Sequence, residues 1–386
     1  MKVTEVLKKN AMLIVLVLVY VFFTITTKGA MFMPLNFNAL ITQNAYVYIL
    51  ATGMLMCMLT GGNIDLSCGS FVCLLGAVGG ILMVNLKVNP ILAIFIMLLC
   101  GIVYGSLLGF LIAYVNVPPW IATLAGYLSF RGWGTALLSA NSSTGSIAPL
   151  PELFLKLFSG KIFSSPINKM NMVCIIVGVV ACVLVVVLNF SGRANKIKKG
   201  YEADSMLSVI VKSVLAVAAI MLFAYKLSLA GGIPTALVWV VIIVLIYHFI
   251  TSKTVLGRYF YVIGGNKEAA RLSGVDTKKI MFLAYLNMEI LTVITAYISI
   301  SRFQAANSTA GTNYEMDAIA GCVVGGVSAY GGSGSVFGMI IGATLIGVIN
   351  LGMSLMGIDA NWQKVVKGVV LLAAVVFDIF ANKKKK

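Results

Sequence analysis

A single aspartate stands between two apolar runs in the stretch GGNIDLSCGS at residues 61–70. A carboxylate at the centre of a membrane helix costs about 2.5–3.5 kcal/mol, so Asp65 needs a structural or functional reason. Gly61 and Gly62 allow the chain to break, and Asp65 can then cap a new helix that begins at Leu66. Transporters commonly place their substrate near such broken helices. The candidate residues of a translocation path are Gly61, Gly62, Asn63, Asp65, Ser67 and Ser70. The alternative is that Asp65 is a cap only, remote from any ligand.

A weaker copy of this pattern occurs late in the chain. Residues 325–336, GGVSAYGGSGSV, share with 61–71 a Gly-Gly pair, a polar interval and a Gly-Ser pair before an apolar helix. Two interrupted helices of this kind suggest an internal repeat of a half-transporter.

The loop GRYFYVIGGNKEAARLSGVDTKKI at 257–280 carries a different kind of motif. Asn266 is a good N-cap, Glu268 favours the first turn of a helix, and Gly274 is a good C-terminal stop. The spacing predicts a short exposed helix over residues 267–273, with small alanines that can sit in the groove of a partner. By itself, the motif favours an ordinary amphipathic loop helix.

No catalytic residue, metal ligand or cofactor is expected. The sequence has no G-x-x-x-x-G-K-[ST] phosphate loop, so ATP hydrolysis would have to occur on another subunit. The only histidine, His248, ends an apolar run, and the seven cysteines include no C-x-x-C pair. Metal ligation needs clustered Cys or His, and a Ser-His-Asp set cannot form around one boundary histidine.

The composition defines the elements that must position these residues. Sixty per cent of the 386 residues are hydrophobic and only 10% are charged, whereas soluble proteins carry about 25% charged residues. Because no polar stretch is long enough for a soluble domain, we predict an all-α polytopic membrane protein with one transmembrane domain over residues 1–386.

Twelve apolar segments are candidates for membrane crossing, which predicts about 10–12 spanning or half-spanning helices. Residues 317–330 are short and rich in glycine, as expected for a half-helix. The segments are Ala11–Thr27, Ala45–Leu59, Leu66–Val84, Ile91–Val115, Trp120–Leu138, Val173–Asn189, Leu207–Leu227, Ala236–Ile250, Ile280–Ser301, Asp317–Tyr330, Val336–Met356 and Trp362–Ala381.

The net charge of +16 comes largely from four short segments that flank these spans. They are the N-terminus, the loop at 192–200, the loop at 251–280 and the C-terminal lysines. The positive-inside rule places all four in the cytoplasm beside anionic lipids, and the even number of spans between them permits this. Residues 139–172 then form an extracytoplasmic loop, which its prolines favour over a helix. The charge therefore does not indicate nucleic-acid binding.

Five stretches together resemble the permease subunit of bacterial ATP-binding-cassette importers for ribose, galactose, xylose and related monosaccharides. A long insertion between about 139 and 250 makes the chain similar to the xylose and multiple-monosaccharide subgroup of this family. One small departure from the family pattern is Cys68, which stands where valine is usual. The stretches are GGNIDLSCGS (61–70), PPWIATLAGYLSFRG (118–132), GRYFYVIGGNKEAARLSGV (257–275), YEMDAIAGCVVGGVSAYGGSGSVFGMIIGATLIGVI (314–349) and NWQKVVKGVVLLAAVVFD (361–378).

The resemblance implies ATP-driven import of a monosaccharide across the bacterial inner membrane by alternating access, with both termini cytoplasmic. It implies three partners: a cytoplasmic ATP-binding subunit, a secreted or lipid-anchored sugar-binding protein, and a second copy of the chain. It also implies that the loop helix couples to the ATPase, with Ala269 and Ala270 facing the partner. The coupling residues would be Glu268, Ala269, Ala270, Arg271 and Gly274.

Two other functions remain open on sequence grounds. An ion-coupled secondary transporter would account for Asp65 and the repeat, but it would leave the loop helix without a role. Its ion sites would have to come from few intramembrane charges, chiefly Asp65, Glu289 and Asp317. The other open function is that of a permease of the same superfamily for nucleosides or branched-chain amino acids. Against it, the Asn-Ile-Asp-Leu-Ser stretch favours the sugar branch.

The predicted topology can be tested by cysteine labelling of intact cells in a cysteine-free background. A cysteine at Lys267 should be protected from an impermeant reagent, because positive segments remain in the cytoplasm. A cysteine in the loop at 139–172 is the matched control and should react. Labelling at position 267 in intact cells would overturn the orientation.

Overall fold

The computed structural model describes residues 11–201 and 205–383, with side chains up to 376. Within these residues the chain is mainly helical, and loops connect the helices. Four short strands in these loops form two antiparallel pairs. The helices are α1 Ala11–Thr26, α2 Pro34–Leu59, α3 Cys68–Gly80, α4 Pro90–Ala113, α5 Pro119–Asn141, α6 Glu152–Phe158, α7 Met172–Lys198, α8 Met206–Leu229, α9 Thr235–Lys253, α10 Val255–Gly265, α11 Lys267–Leu272, α12 Thr277–Phe303, α13 Tyr314–Val324, α14 Val336–Leu355 and α15 Ala360–Lys383. The strands are β1 Ser146–Ile147, β2 Lys161–Ile162, β3 Ile233–Pro234 and β4 Ala306–Asn307.

This architecture confirms the prediction of an all-α polytopic membrane protein. Each of the twelve apolar segments contains a helix, and eight helices of the described chain are long and apolar enough to cross a membrane. Helix α13 has only 11 residues, in agreement with a half-helix. The N-terminal basic residues and the last three lysines lie outside the described residues.

Three loop predictions differ from the structure. Residues 192–198 continue α7, because the Arg, Lys and Ala of this segment are good helix formers. The stretch 139–172 contains α6, which starts immediately after Pro151, a position where the missing N–H of proline costs nothing. The basic loop before α11 contains a further helix, α10, which Thr254 caps by accepting a hydrogen bond from the Gly257 N–H at 3.1 Å.

The described residues divide into two compact units. The smaller comprises Phe32–Ala39 and Lys161–Thr235 and is built on the α7–α8 hairpin. Gly178 allows close packing there, since a Cβ at this position would lie 2.5 Å from the Ala224 Cβ. Strand β2 pairs with β3, and the Lys161 Nζ donates to the Ala230 carbonyl at 2.7 Å. The outer faces of both helices are apolar and exposed, as expected of surfaces that contact lipid.

The larger unit takes in Leu40–Gly160 with the described parts of Met1–Met31 and Ala236–Lys386. Its centre is α12, against which α3 and α4 pack. Gly101, Gly105 and Gly109 form a glycine stripe along the side of α4 that faces α12. A Cβ at Gly101 would lie 2.2 Å from the Val293 Cγ2, and one at Gly109 would lie 2.8 Å from the Phe282 carbonyl oxygen. The stripe therefore packs within the chain.

The two ends of α12 distinguish the two faces of the larger unit. At its C-terminal end, β4 pairs with β1, so Ser146 lies opposite Asn307 and the part of the predicted outer loop that belongs to this unit, residues 139–160, is fixed there. At its N-terminal end lie α10 and α11, which precede α12 in the chain. The predicted extracytoplasmic and cytoplasmic loops therefore lie at opposite ends of one helix, about 40 Å apart for 27 residues.

The close packing of α4 on α12 generates a stability prediction. Gly109→Ala should lower the melting temperature in detergent, because the added Cβ meets backbone atoms of α12 and overpacking of this kind costs about 1–3 kcal/mol. Gly132→Ala on α5 is the matched control, since a Cβ there meets no atom within 4 Å and alanine favours helix. The measurement is loss of the monodisperse peak on heating. Equal melting temperatures for the two variants would contradict the described packing.

Candidate functional site

The chain breaks between α2 and α3, at the predicted position. Asp65 is fully buried in this break, and its Oδ1 accepts hydrogen bonds from the Ser67 N–H at 2.7 Å and from the Ser67 Oγ at 2.6 Å. Helix α3 begins at Cys68, two residues later than expected, although Ser67 already has helical torsion angles. Asp65 therefore caps the entry to α3 through the residue that precedes the helix, where its charge meets the positive end of the helix dipole.

A second buried carboxyl lies beside Asp65. Glu289, from the middle of α12, is fully buried, and its Oε1 lies 3.3 Å from the Ser67 Oγ. The same Ser67 hydroxyl donates to Asp65 and accepts a hydrogen bond from the Tyr104 hydroxyl at 2.9 Å. The Asp65 Oδ2 and the Glu289 Oε2 are buried and have no hydrogen-bond partner among the described residues. Ser67 therefore links the two buried carboxyls at the place where α3, α4 and α12 meet.

Sequence reasoning noted Glu289 as an intramembrane charge but did not pair it with Asp65. The two residues are 224 positions apart, and only the packing of α12 brings them together. An available signal was the glycine stripe of α4, since Gly105 packs against the Cβ of Glu289 and the backbone of Leu286. A run of glycines marks the place where another helix approaches closely.

The remaining candidate residues of the path lie in different surroundings. Ser70 is fully buried and its hydroxyl has no partner among the described residues, whereas Asn63 is half-buried and donates to the Thr60 Oγ1 at 3.1 Å. Gly61 is exposed and Gly62 is half-buried. The structure brings Asp65 and Ser67 together in a closed interior, and the participation of these six residues in transport stays a prediction.

Three glycine pairs meet at the α11 end of the larger unit. They are Gly61–Gly62, Gly264–Gly265 and Gly331–Gly332, and we call them the glycine junction. The Gly332 N–H donates to the Leu59 carbonyl at 3.1 Å, and a Cβ at Gly264 would lie 1.9 Å from that same oxygen. At Gly62, with φ +75°, a Cβ would lie 2.0 Å from the Ala329 carbonyl oxygen. The two stretches that look alike in the sequence therefore touch each other.

Helix α11 follows the glycine junction directly and forms as the sequence predicts. The Asn266 Oδ1 caps it by accepting from the Ala269 N–H at 2.9 Å, and Gly274 ends it with φ +83°. Glu268 and Arg271 form an ion pair at 2.5 Å, and both side chains are about two-thirds exposed. The hydrogen bond from Arg271 and its positive charge lower the pKa of the Glu268 carboxyl below its usual value.

The two alanines of α11 differ in their surroundings. Ala269 is exposed, but Ala270 is fully buried and packs against its own chain. The expectation that both alanines face a partner is therefore wrong for Ala270, because a six-residue helix resting on the protein must turn one side inwards. Leu272, which is 77% exposed, lies three residues from Ala269 on the outward side.

The third intramembrane acid, Asp317 of α13, is neutralised by a partner that the sequence did not reveal. The Lys367 Nζ of α15 lies 2.8 Å from the Asp317 Oδ1, and the Tyr46 hydroxyl of α2 donates to the Oδ2 at 2.5 Å. This network joins three helices and leaves no isolated charge at Asp317.

Broken helices, buried acids and an exposed loop helix between spans define a multi-pass membrane permease. The family model described as "Branched-chain amino acid transport system / permease component" matches residues 36–375, and the chain belongs to this family.

Relatives with known names lie within the sugar branch of the family. The chain is 33% identical over 374 residues to the xylose transport system permease protein XylH of Haemophilus influenzae, covering 97% of this chain and 96% of the relative. It is 32% identical to XylH of Escherichia coli, covering 95% and 90%. It is 31% identical to the ribose import permease protein RbsC of E. coli, covering 98% and 95%. No solved structure matches the chain.

The role of Asp65 can be separated into its cap and its charge. Asp65→Asn should keep folding and most transport, because asparagine caps well and keeps a side-chain oxygen that can accept from Ser67. Asp65→Leu should reduce the folded protein, since loss of a cap costs about 0.5–2 kcal/mol and leaves the Ser67 N–H without its acceptor. The measurements are abundance of monodisperse protein and sugar uptake. If the asparagine variant folds normally but does not transport, the charge itself is required.

Proposed function

We propose that the chain is the membrane-spanning permease of an ATP-driven importer that moves a monosaccharide, xylose or a related sugar, into the cell. A separate cytoplasmic subunit would hydrolyse ATP, and a sugar-binding protein outside the membrane would deliver the sugar. The proposal rests on family membership together with the position of α11, an exposed helix that directly follows the glycine junction.

The position of α11 supports its role as the coupling helix. Gly264 and Gly265 immediately precede it, and they touch both Leu59, where α2 ends, and Gly332, before α14 begins. A displacement of α11 by an ATPase would thus be passed by backbone contacts to both broken-helix loops. Packed backbones without intervening side chains have little freedom to absorb such a shift.

The surface of α11 supports a protein partner. Ala269 and Leu272 form a small apolar face, and the Glu268–Arg271 ion pair lies beside it. An isolated exposed leucine needs no explanation by itself. Leu272, however, is 77% exposed on a short helix whose two charged side chains pair with each other, and this combination is typical of a docking surface.

The substrate class follows from the relatives. The names of the three relatives above specify xylose or ribose transport, and the matches extend over nearly the whole of each chain. A second copy of the chain, which the family resemblance implies, would complete the assembly, with the apolar helix faces against lipid or the other copy.

The proposal predicts that bulk on the outward face of α11 uncouples the permease from its ATPase. Ala269→Trp should leave the permease folded and inserted, because the side chain points away from the chain. The variant should retain less ATPase on co-purification in detergent, and sugar uptake in cells should fall at least about tenfold if docking loses about 1.4 kcal/mol. Leu272→Ser should act in the same direction.

The matched control is Ala140→Trp, an exposed alanine near the end of α5 at the opposite end of the larger unit. This variant should keep the ATPase bound. Wild-type uptake that persists in cells lacking the ATPase would refute the proposal and favour an ion-coupled transporter. Normal ATPase binding by the Ala269→Trp and Leu272→Ser variants would place docking elsewhere on the chain.

A further inference from the structure

A polar cavity lies in the larger unit, at the end opposite α11. It has a volume of about 260 Å³ and is lined by residues of α2, α12, α13, α14 and α15. Arg302, in the last turn of α12, lines it, so the cavity lies close to the β1–β4 pair that follows. A single water needs only about 10–15 Å³ by this kind of measure, so the cavity has room for a small organic molecule.

The lining of the cavity carries a buried hydrogen-bonding group that the protein leaves unused. The Asn350 Oδ1 is buried and has no hydrogen-bond partner among the described residues. The exposed Gln43 amide also lines the cavity, and the half-buried Arg302 guanidinium lies over the ring of Phe303, 5.1 Å from its centroid. A buried amide oxygen without a partner is destabilising, and a ligand hydroxyl would satisfy it.

The remaining walls define the chemistry of the occupant. Tyr46 and Tyr314 stack with their ring centroids 3.7 Å apart and form an aromatic wall. Lys367 also lines the cavity, but Asp317 neutralises it. Amides, which both donate and accept, match hydroxyl groups, which also do both. A small number of placed polar groups beside aromatic surface is typical of small-molecule sites.

We propose that this cavity binds a neutral monosaccharide on its way into the transporter, with Asn350 and Gln43 hydrogen-bonding its hydroxyls. This inference rests on the proposed function and assigns that function a site that sequence reasoning missed. The site is distinct from the Asp65 break, and its polar residues come from five helices.

The walls of the cavity connect it to the opposite face. Helix α2 runs from Gln43 to Leu59 at the glycine junction, and α13 and α14 flank the loop that contains Gly331 and Gly332. A sugar held by α2 and α14 therefore touches the same helices whose other ends meet α11. Differential binding of the sugar to two arrangements of these helices would couple the cavity to the ATPase face.

The test is protection of a cysteine in the cavity. Asn350→Cys permease, reconstituted in liposomes with its ATPase, is treated with a water-soluble methanethiosulfonate in the presence of D-xylose or D-ribose. Met356→Cys, exposed just beyond the end of α14, is the matched control, and wild-type permease reports on the seven native cysteines, six of which are buried. Labelling at 350 should slow about tenfold at about ten times the dissociation constant, and labelling at 356 should not change.

A second variant gives a readout of transport. Asn350→Leu, which keeps the volume and removes the hydrogen bonds, should reduce uptake of the protecting sugar at least about tenfold. Its co-purification with the ATPase should equal that of the wild type, because the two sites lie at opposite ends of α12.

Each outcome separates the inference from the proposed function. Wild-type uptake of either sugar, with no protection at 350 and normal uptake by Asn350→Leu, overturns the cavity assignment and leaves the importer intact. Protection by D-gluconate but not by the neutral sugars would assign the cavity to an anion through Arg302 and overturn the inference as stated. A wild-type permease that neither takes up these sugars nor retains the ATPase would overturn both proposals.

Discussion

Close contact between α4 and α12 is the constraint on which the rest of the larger unit depends. Gly101, Gly105 and Gly109 remove the side chains that would keep the two helices apart. In hydrocarbon, such close packing replaces the hydrophobic effect as the main source of helix association. The same contact brings Glu289 to Asp65 and Tyr104 to Ser67, so the polar centre of the protein exists only because these backbones approach each other.

That polar centre holds two buried acids through hydroxyl groups. Neither Asp65 nor Glu289 has a basic partner within the described hydrogen bonds. The Ser67 hydroxyl contacts both carboxyls, and the Tyr104 hydroxyl donates to Ser67. Asp317 has a different partner, a lysine at 2.8 Å. Acids in the membrane region therefore connect helices here.

The glycine junction and the polar cavity occupy opposite ends of the same helices. At one end, three backbones meet without side chains between them, next to the exposed α11. At the other, the unpaired amide oxygen of Asn350 lines a space of monosaccharide size. We propose that sugar binding and ATPase docking communicate along α2, α13 and α14, since rigid helices with tightly packed ends move as units.

The sequence by itself determined the local features of this protein. Hydropathy located the long apolar helices, because about 20 apolar residues are needed to cross hydrocarbon whatever lies beside them, but it missed α6 and α10. Side-chain chemistry located the break at Asp65 and the cap of α11 at Asn266, because both depend on hydrogen bonds within a few residues. Helix ends were less accurate: α3 starts at Cys68 and α7 runs to Lys198, since packing and propensity move such boundaries by a turn or more.

Only the tertiary structure decided which distant residues meet. It paired Glu289 with Asp65 and Lys367 with Asp317, turned Ala270 inwards while Ala269 stayed exposed, and gathered the residues of the cavity from five helices. Membrane helices are alike in their apolar composition, so hydropathy does not specify the neighbour or the face that each presents. The choice is made by shape, through glycines and polar groups that find partners only when the whole bundle is assembled.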